Sequence, residues 1–149
     1  MNQFFLAILA FIGGVFLAIQ VVFNAHLGEI LKKPILASVA QSVSSTAFAL
    51  TIVLLTVKTL PSPGTIKQVP LYLWFIGGLF SVLGISLYYY IIPKLGLSTM
   101  ISIGLSGQLI FAVVAGHYGW LNLASEPSTF RKLIGVTFML AGILLIKLK

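Results

Sequence analysis

Long apolar runs without a charged side chain alternate with short segments that hold nearly every basic residue. Met1 to Gly28 carries no charge, and neither do Pro34 to Val57, Gln68 to Pro93 and Leu97 to Ser125. Each exceeds the roughly 20 residues that take an α-helix across a bilayer core. A fifth run, Leu133 to Ile146, is shorter and bounded by basic pairs. Leu148 and snorkelling of Arg131, Lys132, Lys147 and Lys149 extend it to a short span. The pattern predicts five transmembrane helices over 4–27, 34–57, 70–92, 96–117 and 130–148. Chain breakers agree. Pro34 and Pro70 stand where helices start, Pro61-Ser-Pro-Gly64 reads as a loop, and Pro93 with Gly96 reads as a tight turn. A β-barrel is excluded, because its strands alternate over about 10 residues. No long linker or low-complexity tract divides the chain, so 1–149 reads as one transmembrane domain.

Composition strengthens that reading. The chain is 59% hydrophobic and 7% charged, with a mean hydropathy of +1.13. Soluble domains carry about 25% charged residues. One small core could not hide this much apolar surface, since a domain of this size leaves roughly a third of its chain surface in water. An all-α integral membrane protein of a bacterial plasma (inner) membrane is expected. The net charge of +7 does not point to nucleic acid, because the basic residues are single or paired at the ends of apolar runs. No cysteine is present, hence no disulfide or thiol metal site. The start MNQFFLAILAF lacks the basic region of a cleavable signal peptide.

Counting basic residues by membrane side changes the picture again. With five spans, one face receives Lys32, Lys33, Lys94, Lys147 and Lys149. The other receives Lys58, Lys67, Arg131, Lys132 and the amino terminus. The positive-inside rule then gives almost no preferred orientation. This predicts insertion both ways and pairing with an inverted copy of the chain, or else with a different, inverted paralogous chain.

Polar residues inside the runs mark the inward helix faces, because helices in lipid associate through close packing and interhelical hydrogen bonds. Gly13, Leu17, Gln20 and Asn24 share one side of the first helix, and Ser38, Gln41 and Ser45 one side of the second. Gly77, Ser81, Gly84 and Tyr88 form a stripe beginning beside Trp74, and Gly104, Gln108 and Ala112 another, near Thr99, Ser102 and Ser106. Gly13, Gly14, Gly77, Gly78, Gly84, Gly104 and Gly107 are expected to serve helix packing. Gln20, Asn24, Gln41 and Gln108 either glue helices together or line a cavity with Trp74 and Tyr88 and bind a small-molecule substrate there.

No Asp, Glu, Lys or Arg lies within the first four runs, which disfavours a proton antiporter built on a buried carboxylate. Glu29, near His26, reads as a helix-end residue facing headgroups. His117-Tyr118-Gly119-Trp120 and most other aromatics read as an interfacial belt. Gly104-Leu-Ser106-Gly107 and Ala25-His26 resemble the Ser and His motifs of rhomboid proteases, but their chain order is reversed and a span is lacking. No enzyme, metal site or cofactor is expected.

Taken together, several elements resemble the YdcZ-like branch of the drug/metabolite transporter superfamily. They are Gly14 followed by Gln20, Asn24 and Leu27-Gly28; Pro34 with Ala37-Ser38; and Trp74 before Gly77-Gly78. Further along come Pro93-Lys-Leu-Gly96, Gly107-Gln108-Leu109, and His117-Tyr-Gly119 before Gly135. One position departs: relatives often carry an acidic residue where Gly116 stands. The resemblance implies a five-helix half-transporter, paired with an inverted unit, that moves small molecules by alternating access. It implies no particular cargo. A small polar, zwitterionic or amphiphilic metabolite, exported from a cavity between antiparallel protomers, is the expectation. A non-transporting membrane subunit or a lipid-headgroup flippase are the alternatives.

Overall fold

The computed structural model describes residues 2–120 and 129–147. Among the described residues every regular element is a helix. They run α1 (Gln3–Ile30), α2 (Pro34–Thr56), α3 (Pro63–Gln68), α4 (Leu71–Leu95), α5 (Leu97–Tyr118) and α6 (Phe130–Lys147). α1, α2, α4 and α5 are long and apolar enough to cross a membrane. α6 is not among them, since basic residues at both ends confine its apolar run to Leu133–Ile146. Leu148 and Lys149, expected at the end of the last span, lie outside the described residues.

Three boundaries differ from the sequence expectation, each for a local reason. The segment after α2 is not a plain loop, because α3 forms within it. Pro63 occupies its first turn, and the Ser62 hydroxyl accepts from the Thr65 N–H at 3.2 Å, a pairing that starts a helix without help from packing. Pro93 does not end α4 but sits inside its last turn. Its φ is fixed near the helical value, so the helix continues and gives up only the bond that a residue-93 N–H would make to the Tyr89 carbonyl. The break comes instead at Gly96, whose φ of 81° and ψ of 157° suit a residue without Cβ.

α1 runs three residues past its expected end and closes on a left-handed residue that is not glycine. Lys32 has φ 53°. Its N–H donates to the Glu29 carbonyl at 3.0 Å, and the Lys33 N–H to the Gly28 carbonyl at 3.2 Å, the paired bonds of a Schellman cap. A lysine in this conformation is less favourable than glycine. It does, however, place a cation beside the carbonyl end of a helix, where positive charge is stabilising.

Two compact units divide the chain, Met1–Lys94 and Leu95–Lys149. In the first, α1 packs on α2, and the buried residues gather at one end: Val21, Ala25 and Gly28 on α1, Ala37 and Ser38 on α2, Tyr89 on α4. Gly28 sets the closeness. A Cβ there would stand 3.3 Å from the Pro34 Cα, 3.4 Å from the Ala37 Cβ and 3.8 Å from the Tyr89 Cβ. In the second unit α5 packs on α6, with Met100 and Ala115 buried on α5.

Gly28→Leu is therefore expected to force α1, α2 and α4 apart. The cost should be about 1–3 kcal/mol, the usual penalty for overpacking, read as a lowered unfolding midpoint in mild detergent. Gly28→Ala, whose methyl needs its neighbours to give by only a few tenths of an ångström, should cost clearly less.

Candidate functional site

Water is scarce in a bilayer, so a polar side chain on a spanning helix is either satisfied by its own helix or must find a partner on another. Most hydroxyls here take the first course. Thr46 donates to the Ser42 carbonyl at 2.8 Å, Thr51 to Ala47 at 3.0 Å, Thr56 to Ile52 at 2.7 Å and Ser106 to Ser102 at 3.0 Å. Such back-bonding makes these residues compatible with lipid and gives them no outward task.

A small group behaves differently, at the packed end of the first unit. Ser38, 1% exposed, shares a hydrogen bond of 2.7 Å with the Ser86 hydroxyl across α2 and α4. Its hydroxyl also lies 3.4 Å from the Pro34 carbonyl. Tyr89, one turn from Ser86 on α4, is 1% exposed as well. Its hydroxyl faces the Asn24 side chain of α1 yet completes hydrogen-bond geometry with no partner among the described residues. Asn24 itself donates from Nδ2 to the Gln20 carbonyl at 2.9 Å. Three helices thus bring two hydroxyls, a phenol and an amide to one level of the bundle.

The residues expected to bind substrate are distributed unevenly around this junction. Gln20 and Asn24 are half-buried on α1 and joined through the bond just described. Gln41 is half-buried on α2, three positions past Ser38, and donates from Nε2 to the Ser45 hydroxyl at 3.0 Å. Tyr88 is half-buried, but its neighbour Tyr89 is the aromatic that α4 turns inward. Trp74 is 57% exposed and lies fifteen positions before Tyr89 on α4, about 22 Å along the helix axis. It therefore does not join the junction. Gln108 is exposed on α5, in the second unit.

Sequence reasoning passed over Ser86 and Tyr89. Their i, i+3 spacing was a usable signal, but the stripe of Gly77, Ser81, Gly84 and Tyr88 runs beside it and looks more regular. In α4 all residues up to Ser81 are exposed, and burial starts at Val82, so only the C-terminal part of that stripe meets a neighbour. Cβ atoms built at Gly13, Gly14, Gly77, Gly78, Gly84 and Gly107 would meet nothing within 4 Å. Among the described residues, nothing closes on them. Gly104 is half-buried on α5.

Charged and aromatic groups sit toward the helix ends. His26 Nδ1 lies 3.9 Å from Glu29 Oε2, both side chains well exposed. Lys94 Nζ sits 3.6 Å over the Tyr90 ring, a cation–π contact that suits the boundary between lipid and water. At the end of α5 Tyr118 stacks on Trp120 at 6.4 Å, while Phe111 meets Trp120 edge-on at 5.9 Å. Amphipathic rings of this kind settle at headgroup level.

The site offers hydrogen bonding and shape, with no charge at its centre. Among the described residues, no group of three or more His, Cys, Asp or Glu is placed to hold a metal ion.

A family model described as "Putative inner membrane exporter, YdcZ" matches residues 5–145. No curated protein and no solved structure matches the chain.

The Ser38–Ser86 bond should behave as a coupled pair. Ser38→Ala strands the Ser86 hydroxyl on α4, and Ser86→Ala leaves Ser38 only its long bond to the Pro34 carbonyl, whereas the double variant strands neither. A double-mutant cycle of unfolding free energies in detergent is expected to return a coupling of about 0.6 kcal/mol, at most roughly 1.7.

Proposed function

The chain belongs to the YdcZ inner-membrane exporter family, and from that premise we propose that it exports a small polar, zwitterionic or amphiphilic metabolite by alternating access, working as half of an antiparallel pair. That it is a membrane transporter follows from the family. The cargo class, the mechanism and the pairing are the proposal.

One observation carries the cargo class. Gln20 and Asn24 are kept half-buried in a helix that has no charged residue before Glu29. Amides held in such surroundings orient a ligand through hydrogen bonds without demanding that it carry a net charge. Gln41 and Tyr88 extend that surface in this reading, Trp74 contributes an aromatic wall nearer the start of α4, and Gln108 on α5 supplies a further amide. With no carboxylate inside the spans, nothing at the site matches the proton-exchanging glutamate of cation antiporters.

The pairing rests on charge and on open glycines. If α6 crosses the membrane, Arg131 and Lys132 at its start snorkel to one surface. The basic residues then divide almost evenly between the faces, and neither orientation is preferred. An inverted copy would generate the two-fold arrangement from which midplane sites alternate their access. Gly13, Gly14, Gly77 and Gly78, where an added Cβ would meet nothing within 4 Å among the described residues, would let a partner's helices approach.

Two tests follow. Gln20→Ala, Asn24→Ala and Gln108→Ala should each lower efflux at least several-fold for a metabolite found by comparing export from cells with and without the chain. Assembly, followed by chemical cross-linking, should persist. Loss of assembly with no specific loss of flux would favour a non-transporting subunit in which the amides only fix helix packing. For orientation, Gly64→Cys on α3 is a clean reporter because the chain has no cysteine. An impermeant thiol reagent applied before and after cells are opened should label about half the chains from each side if insertion is dual. Labelling from one side alone would remove the antiparallel homodimer and turn attention to an inverted paralogous chain.

A further inference from the structure

We propose that Tyr89 is a positioning residue for Asn24, and that the two side chains form a hydrogen bond in one access state and release it in the other, the state seen here. This rests on the reading that Asn24 lines the transport cavity and that access alternates.

Geometry brings the pair together. Gly28 and Asn24 are one turn apart on the same face of α1. The Tyr89 Cβ stands beside Gly28, and side chains on a helix lean toward its N-terminus. The ring accordingly runs along α1 from Gly28 to Asn24, where its hydroxyl faces the amide. At 1% exposure that hydroxyl is closed off from outside, yet no partner satisfies it among the described residues. Buried polar groups are nearly always paired, and an orphan calls for a reason. Simple misfit is a poor reason here, since the neighbouring hydroxyls of Ser38 and Ser86 meet at 2.7 Å in the same junction.

Asn24 supplies what the phenol lacks. Its Nδ2 gives one of its two N–H groups to the Gln20 carbonyl at 2.9 Å, and its Oδ1 can accept from the Tyr89 O–H. The same element has a means of closing that gap. Pro93 has no N–H to offer the Tyr89 carbonyl, so the hydrogen-bond ladder of α4 is one bond short at Tyr89 itself. Prolines are where spanning helices bend. A small tilt of α4 at this joint moves the phenol onto Oδ1 and fixes which way the amide faces. Straightening releases it to the arrangement seen here. The device needs only one hydrogen bond made and broken, and no proton crosses.

Nuclear magnetic resonance on the full chain in lipid bicelles, with tyrosine labelled with carbon-13 at Cζ, tests this directly. That carbon's shift reports whether the hydroxyl is hydrogen-bonded. The chain has 5 tyrosines, and Tyr89→Phe identifies the signal that matters. Two Tyr89 resonances are expected, one free and one hydrogen-bonded. Asn24→Ala, or Asn24→Thr if the alanine variant does not assemble, should abolish the bonded one. Because the state seen here holds no bond to the phenol, Tyr89→Phe should unfold at a temperature no lower than the parent. A clear drop in that temperature would show the hydroxyl to be an ordinary structural partner and overturn the proposal. So would a single Tyr89 resonance, indifferent to the Asn24 variants, while Tyr88 and Tyr90 show doubled signals. If no tyrosine doubles, alternation of access itself is what fails, and the proposal falls with it.

Discussion

The absence of water around a spanning helix is the constraint from which the rest of this protein follows. Backbone groups must be satisfied within each helix, and side-chain hydroxyls are satisfied in the same way wherever they can reach back one turn. Thr46, Thr51, Thr56 and Ser106 all do so. A polar group that does not back-bond must be held by another helix. Ser86 is one such case, held by Ser38, and the unpaired Tyr89 phenol is the departure that gives the junction its interest.

Close approach at that junction depends on one missing side chain. Gly28 lets the start of α2 and the ring-bearing turn of α4 come against α1 together. Small residues stand around it, Ala25 and Ala37 among them, and both are almost fully buried. Lipid provides no hydrophobic drive to bring helices together, so van der Waals fit at such points and a few interhelical hydrogen bonds must supply most of the attraction. The outer surfaces of the same helices, rich in Phe and Leu, remain exposed, as expected where the solvent is hydrocarbon.

The charge distribution and the polar interior answer to one electrostatic rule. A bare ion is costly at the bilayer centre, and Lys, Arg and the described Glu29 are found at helix ends. What remains for recognition inside is the amide and the hydroxyl. Groups of that kind discriminate by direction of hydrogen bonding, which is why the orientation of Asn24 is central to the proposed transport cycle. Bonded to the Gln20 carbonyl through Nδ2 and facing the Tyr89 hydroxyl, that one side chain links the proposed substrate surface to the packed junction.

Much of the architecture was legible in the amino-acid sequence, because the hydrocarbon thickness translates directly into the length of a charge-free run. Four spans could be read that way, the breaks at Pro34 and Gly96 from chain breakers, and the family only from the resemblance of scattered short motifs. Local refinements could not. Whether Pro93 ends a helix or rides in its last turn depends on the backbone that follows, and α3 depends on a cap formed by Ser62. The short run Leu133–Ile146 reads as a fifth span only with its flanking basic residues snorkelling, and α6 is not among the helices long and apolar enough to cross. Which aromatic of Tyr88-Tyr89-Tyr90 turns inward was a matter for tertiary structure alone. Helical spacing fits more than one face when small residues are plentiful, and only the contact of α4 with Gly28 selects among them. Gln20 and Asn24 announced themselves as amides in apolar surroundings. That Asn24 should sit across from an unpaired phenol sixty-five positions along the chain could emerge only when three helices met, since nothing local to either residue encodes the other.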